Sequence, residues 1–233
     1  MKMKSRFTLV CFVMLFSLVL TICAGAAEGD IFKVALNTSP KILGYPAEVT
    51  NNGPLPFLEP ILQSLGKFDE VGNLVPWLAE SWEADADSKT ITFKLKKGVK
   101  FSDSTDFNAE AVKWNIEQYM KVKRNEVANI DSIEVIDNST IRINLLEWDS
   151  SNLEAIGFFI RYISPTAFKT HGKEWAYKNP VGTGPYLLDK WEINVSVSYI
   201  KNPDYYIEGE PKLDGLKLLI IEDPQTAASA FRA

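Results

Sequence analysis

The segment Pro180-Val181-Gly182-Thr183-Gly184-Pro185-Tyr186 constrains the fold of this chain more than any other stretch. Two glycines one residue apart, bracketed by prolines, mark a place where a side chain would be forbidden. Either the backbone takes a positive φ there, or another part of the chain passes too close to leave room for a Cβ atom. Cradling a phosphate is a third use of such glycines, and the neighbours argue against it. No third glycine and no Lys-Ser/Thr pair follow. Pro185 also removes a backbone donor where an anion would be held.

The start of the chain reads as an export signal. Lys2, Lys4 and Arg6 precede an almost wholly apolar run from Phe7 to Leu20, and small residues follow at Ala24-Gly25-Ala26-Ala27. The run falls short of the roughly 20 apolar residues that span a bilayer. Residues 1–26 are therefore expected to be a signal peptide, cut after Ala26. The competing lipoprotein reading uses Leu20-Thr21-Ile22-Cys23, with Ile22 the wrong residue before the cysteine. Both cysteines, Cys11 and Cys23, lie in this leader, so cleavage after Ala26 leaves no disulfide. The full sequence is 46% apolar, and the part that follows the leader is long enough to be held by its own core. Net charge is −5 overall; without the three leader cations, 22 Lys plus Arg face 30 Asp plus Glu, a net −8. Nucleic acid and anionic lipid both demand a basic patch, so neither is an expected partner.

Along the chain, Ile31-Phe32-Lys33-Val34-Ala35-Leu36 reads as a strand entering a long Pro/Gly/Asn-rich loop from Asn37 to Gly53. Loops of that length in a compact domain are usually functional or mobile. A helical pattern follows from Leu55 to Leu65, ended by Gly66. Ile91 to Leu95 alternate as a half-buried strand, Lys97-Gly98 turns the chain, and Val99 and Phe101 resume the apolar face. Asn108 is the expected cap of a helix with Val112, Ile116 and Tyr119 on one stripe and Glu110 in its first turn. Ile133 and Val135, the turn Asp137-Asn138-Ser139, then Ile141, Ile143 and Leu145 predict a hairpin. Val195 to Ile200 predicts a further strand, and Leu216 to Ile221 one covered on both faces. Asp223-Pro224 caps a last helix, on which Phe231 has nothing downstream to pack against.

The inventory for catalysis is thin. His171 is the single histidine, so no His-rich metal site and no two-histidine mechanism is available. Its neighbours Lys169, Thr170 and Gly172 predict a solvated loop. The pairs Asp85 with Asp87, and Asp103 with Asp106, read as solvated turn residues. No cofactor is implied, and the function must be argued as binding.

The glycine block, Trp191 and Lys201-Asn202-Pro203-Asp204-Tyr205-Tyr206 together resemble the signature of the peptide and nickel family of extracytoplasmic solute-binding proteins, the receptors of ABC importers. Leu74-Val75-Pro76-Trp77-Leu78-Ala79-Glu80-Ser81-Trp82 and the run from Thr90 to Asp103 resemble further blocks of that family, in family order. One departure is Asp103-Ser104-Thr105, where the family usually has Asp-Gly-Thr; Ser104 must then hold a turn geometry normally left to glycine. Trp77, Trp82 and Trp191 fall in or beside these motifs and are expected to pack, leaving Trp148 freest to reach a ligand.

The resemblance implies an α/β fold of the class II periplasmic-binding-protein type. It implies a discontinuous first lobe, with residues 27–44 and 179–233 forming a sheet subdomain and residues 45–178 an inserted outer subdomain. A second lobe would lie beyond residue 233, in a protein roughly twice as long. It implies a monomeric, non-enzymatic receptor on the outer side of the cytoplasmic membrane, periplasmic or tethered through Cys23, that delivers oligopeptides to a permease. A nickel or metal-chelate receptor on the same fold is the alternative, and a secreted hydrolase a distant one. By resemblance, Tyr45 and Asn51 in the long loop, Arg124 before the hairpin, and Phe158 with Arg161 face the solute. Arg161 would pair a ligand carboxylate through its bidentate fork.

Overall fold

The computed structural model describes residues 29–50 and 53–230. The leader with its two cysteines, Asn51 and Phe231 lie outside the described residues. The chain opens with β1 (Ile31–Leu36), a 3-10 turn at Pro46–Glu48 and a single turn α1 (Leu55–Leu58). Then come β2 (Gly66–Phe68), β3 (Leu74–Pro76), β4 (Ala79–Asp85), β5 (Thr90–Leu95) and α2 (Ala109–Lys121). A second 3-10 turn, Asn125–Val127, leads into β6 (Ile130–Asp137) and β7 (Thr140–Leu145). After α3 (Ser151–Glu154) the chain widens into a π-helical turn at Ala155–Phe159, followed by α4 (Pro165–His171) and α5 (Lys173–Ala176). It closes with β8 (Tyr186–Glu192), β9 (Ser196–Lys201), β10 (Gly215–Ile220) and α6 (Pro224–Ala230).

Two four-stranded sheets organise these elements. One runs β1-β10-β9-β8, with β1 parallel to β10 and the other pairs antiparallel; Ile31 lies opposite Gly215 and Leu36 opposite Ile220. The other runs β4-β5-β7-β6 and is antiparallel throughout, while β2 and β3 form a separate hairpin. The alternation in β5 and β7 sends Ile91, Phe93, Leu95, Ile141, Ile143 and Leu145 inward, all buried. Against this sheet lies α2, started where expected by the Asn108 side chain, which accepts the Ala111 N–H at 2.9 Å. Its stripe of Val112, Ile116 and Tyr119 is buried, each aliphatic member contributing about 1.5–3 kcal/mol. Asp223 caps α6 as the sequence predicts, accepting the Thr226 N–H at 2.7 Å.

Three expectations need correction. The helix over 55–65 stops at Leu58, because Pro60 has no N–H to give and its ring collides with the carbonyl four residues earlier. The chain turns once more through the Leu62 N–H to Leu58 carbonyl bond at 2.8 Å and then extends, so Gly66 opens β2 where a helix end was expected. His171 is the last residue of α4, stacked on Trp175 at 4.3 Å, and not part of a loop; Ser164 caps that helix and Pro165 starts it. In β10, Leu218 is buried and Leu216 and Ile220 are half-buried against the core, and Lys217 and Leu219 on the other face are half-buried as well, so neither face of the run is fully covered.

The glycine block takes the close-approach alternative. A Cβ on Gly182 would sit 2.2 Å from the Ile61 carbonyl oxygen, and one on Gly184 2.4 Å from that of Pro60. The Gly184 N–H donates to Ile61 O at 2.8 Å and the Tyr186 N–H to Pro60 O at 3.0 Å. On its other side, the Ser102 N–H donates to Gly182 O and the Ser164 N–H to Val181 O. One short segment thus binds the turn after α1, the loop after β5 and the start of α4, and then enters β8.

Candidate functional site

Two arginines expected at the site meet under Tyr119, and the end of α2 brings them there. Lys123 adopts φ +56°, the left-handed conformation that closes many helices, and the Arg124 N–H returns to the Tyr119 carbonyl at 3.1 Å. The Arg124 guanidinium then lies 5.9 Å from the Tyr119 ring centroid. It donates to the Val49 carbonyl and forms a two-pronged pair with Glu126, Nε to Oε2 at 3.0 Å and Nη2 to Oε1 at 2.5 Å. The partner lies two residues away, and the intervening 3-10 turn folds it back.

Arg161 is placed by α2 as well. Asn115 grips the extended segment after the π turn, its Oδ1 accepting the Ile163 N–H at 3.0 Å and its Nδ2 donating to the Ile163 carbonyl at 2.9 Å. Tyr119 Oη accepts the Arg161 N–H at 3.0 Å. The Arg161 side chain is 1% exposed, and its Nη2 donates to Glu59 Oε1 at 3.1 Å. Nη1 donates to the Phe158 carbonyl, and the guanidinium carbon stands 4.6 Å from the Phe158 ring centroid. Phe158 in turn packs on Phe68 at 4.6 Å. Among the described residues the Arg161 Nε has no partner. Burial lowers the Arg161 pKa, opposed by the Glu59 carboxylate; the same burial pushes the Tyr119 hydroxyl up to about 12.

Arg124, Glu126, Tyr119 and Arg161 line one cavity of about 20 Å³, roofed by Pro46, Val49 and Leu55. That volume admits about one water molecule. Each guanidinium is matched by one carboxylate, so the cluster is balanced in charge, and Glu59 keeps 44% of its side chain in solvent. Of the five residues the sequence pointed to, Arg124 and Arg161 come together at this cavity, with Phe158 stacked on the Arg161 guanidinium while its neighbour Phe159 lines the cavity. Tyr45 turns away: it is 4% exposed, its ring 5.0 Å from Phe168 and 6.3 Å from Tyr177. Asn51 is not among the described residues. Tyr119, Glu59 and Glu126 complete the cluster and were not singled out from the sequence; Tyr119 appeared there only as a core residue.

The motif residues form a separate framework around the buried Gln63, Thr183 and Asn202. Gln63 donates from its amide nitrogen to the Thr183 carbonyl and hydroxyl at 2.9 Å, and accepts from Tyr205 Oη at 2.8 Å and Trp77 Nε1 at 2.7 Å. Asn202 donates to the Gly184 carbonyl at 2.9 Å. Trp77, Thr183, Gly184, Asn202 and Tyr205 thus hold the scaffold together. Among the described residues no group of three or more His, Cys, Asp or Glu side chains could hold a metal ion. No described helix is long and apolar enough to cross a membrane.

The strand order and the mixed α/β layers define the class first: this is the fold of periplasmic binding proteins. NikA from Brucella suis, in complex with Fe(III)-EDTA, matches with a TM-score of 0.71 and 31% identity, over 85% of this chain and 42% of that one. NikZ from Campylobacter jejuni, in complex with Ni(L-His), matches with a TM-score of 0.76 and 26% identity, over 88% and 42%. The glutathione-binding protein GsiB of Shigella flexneri is 38% identical over 176 residues, 73% of this chain and 34% of that protein. Residues 73–233 match the family described as bacterial extracellular solute-binding proteins, family 5 Middle. The chain belongs to family 5 of the bacterial extracellular solute-binding proteins, and it spans about a third of the length of GsiB.

Proposed function

We propose that this chain carries the first-lobe half of a receptor that captures short peptides outside the cytoplasmic membrane and hands them to an ABC permease. The observation that carries the reading is the pair Arg124 and Arg161 lining one cavity, within a family 5 fold. A ligand carboxylate takes the place of Glu59, whose side chain is 44% solvent-exposed and free to swing out, on the fork of Arg161. The glutathione-binding relative supports a ligand of tripeptide size. In this reading residues 45–178 form an outer subdomain inserted into the sheet that residues 27–44 and 179–233 supply. The receptor binds as a monomer and turns nothing over; a hinge motion encloses the solute. Export by the leader, with or without a lipid on Cys23, belongs to the same proposal.

A second reading, a metal-chelate receptor, is favoured by the Fe(III)-EDTA and Ni(L-His) complexes of the two solved relatives. A chelate also presents carboxylates to an arginine pair. Titration calorimetry on the protein purified from its complete reading frame separates the two, using glutathione and trialanine against Ni(II) with L-histidine. Heat with the peptides alone is expected, and Arg124→Ala should weaken it at least about tenfold. Heat with the chelate alone moves the assignment to the second reading.

A further inference from the structure

The two arginine pairs are alike in charge and unlike in how their forks are used. Arg124 gives both nitrogens of one guanidinium edge to a single carboxylate, Nε to Glu126 Oε2 and Nη2 to Glu126 Oε1. Arg161 gives Glu59 only Nη2, and its Nε, the second nitrogen of that edge, is buried without a partner among the described residues. One fork is full and the other is half-filled, and a buried donor left unsatisfied carries the whole desolvation cost of its group. Exposure differs in the same sense. The Arg124 and Glu126 side chains are 18% and 19% exposed, whereas Arg161 is 1% exposed and Glu59 44%. The Phe158 carbonyl and ring hold Arg161 in place, so the carboxylate is the member that can leave. The main chain of Glu59 is fixed: its N–H donates to the Leu55 carbonyl at 3.0 Å, and the Pro60 carbonyl that follows accepts the Tyr186 N–H at 3.0 Å. Only the Glu59 side chain is free to swing.

We propose that Glu59 determines specificity as a one-pronged placeholder on Arg161, displaced only by a solute whose carboxylate fills both prongs of the fork. Nη2 and Nε then each meet one oxygen, as in the Arg124–Glu126 pair. The cavity that Arg161 lines, of about 20 Å³, admits no more than about one water molecule, so a solute carboxylate cannot seat on this arginine beside Glu59 and must replace it. Like charge enforces the same exclusion. The exchange keeps the buried guanidinium paired throughout, whereas a solute ending in a neutral amide would leave it without a counter-charge. The inference rests on the receptor reading and deepens it, because it states which end group admits a solute.

The test is calorimetry of the complete protein with trialanine and trialanine amide, repeated on Glu59→Gln and Glu59→Ala, with the urea midpoints of the empty proteins measured alongside. The amide is expected to bind the unaltered protein at least about tenfold more weakly than trialanine. Glutamine keeps an oxygen for Nη2 without the charge, and alanine removes both. Trialanine should therefore bind about tenfold more tightly to Glu59→Ala, with Glu59→Gln between, while the urea midpoints fall in the order parent, Glu59→Gln, Glu59→Ala. A side chain that merely supported the fold would weaken binding as its loss weakened the fold, so the opposite orders mark a competitor. Glu59→Gln, the milder change, carries the comparison if Glu59→Ala does not fold. Equal affinity of the unaltered protein for the two peptides overturns the placeholder and leaves the receptor reading intact. So does trialanine binding that a folded variant leaves unchanged or weakens. No binding of either peptide by the unaltered protein overturns both.

Discussion

Ser104 holds φ +66° in the turn where the Ser104 N–H donates to the Phe101 carbonyl and the Phe101 N–H to Thr105 O, each at 2.9 Å. The left-handed region costs an L-residue about 1–2 kcal/mol. Asp103 offsets this by accepting the Thr105 N–H at 3.1 Å and the hydroxyls of Thr105 and Ser164 at 2.6 and 2.5 Å. Ser104→Gly removes the conformational cost but frees the unfolded chain by about 0.5–1 kcal/mol. The expected net gain is about 0.5 kcal/mol, read as a higher urea midpoint with an unchanged slope. A lower midpoint would mean that the Ser104 side chain contributes more than its backbone costs. At this scale the sequence is informative where partners are close neighbours. The Asp103-Ser104-Thr105 departure announced its own strain, and Phe158 stood three residues from Arg161. Glu59 did not announce itself as the Arg161 partner, because 102 residues separate them and only the fold brings them together.

Among the elements, the loop from Asn37 onward is tied down where the sequence led one to expect function or mobility. Leu43, Tyr45, Pro46 and Ala47 are buried, and the Leu43 N–H donates to the Tyr177 carbonyl at 2.8 Å. Glu48 fastens the far end, accepting the Tyr177 hydroxyl and the Lys173 ammonium. The Tyr177 hydrogen bond chiefly, with the Lys173 ammonium and against the opposing effect of burial, holds the Glu48 carboxyl below its ordinary 4.5. A depressed carboxyl stabilises the fold fully above its ordinary value and loses that contribution as pH falls through the depressed one. Glu48→Gln should therefore cost at most about 1 kcal/mol at neutral pH, after solvent screening, and the gap to the parent should close below pH 4.5. Denaturation at pH 7 and pH 3 checks this, and a gap that persists in acid sinks it. Alternation and capping make β5, β7, α2 and the β6–β7 hairpin legible in the amino-acid sequence itself. Pro60 ends α1 and Ser164-Pro165 starts α4 by equally local signals, which the apolar periodicity over 55–65 and the polar run around His171 obscure. The π turn at Ala155–Phe159 has no comparable local mark.

For the molecule as a whole, the question is whether the two sheets unfold as one. The glycine block is the piece that touches both: it receives bonds from the loop after β5, gives them to the turn after α1, and continues into β8. Gly182 is required by space and not by φ, as its Cβ would press on the Ile61 carbonyl and, at 2.6 Å, on Leu62 Cδ2. A backbone atom cannot step aside as a side-chain tip can. Gly182→Ala should accordingly cost about 2–4 kcal/mol, from overpacking and the hydrogen bonds it strains. Gly72 supplies the control. It needs φ +86° but has nothing within 4 Å, so Gly72→Ala carries only the conformational cost of about 1–2 kcal/mol. If the block couples the sheets, Gly182→Ala lowers the midpoint reported from Trp82 in β4 and from Trp191 in β8 equally, whereas a loose joint would split the two transitions. Single-tryptophan variants followed in urea read each sheet separately. A Gly182→Ala protein no weaker than Gly72→Ala would refute the packing argument. Split transitions already present in the parent would show that the sheets are independent units and that the block only passes between them.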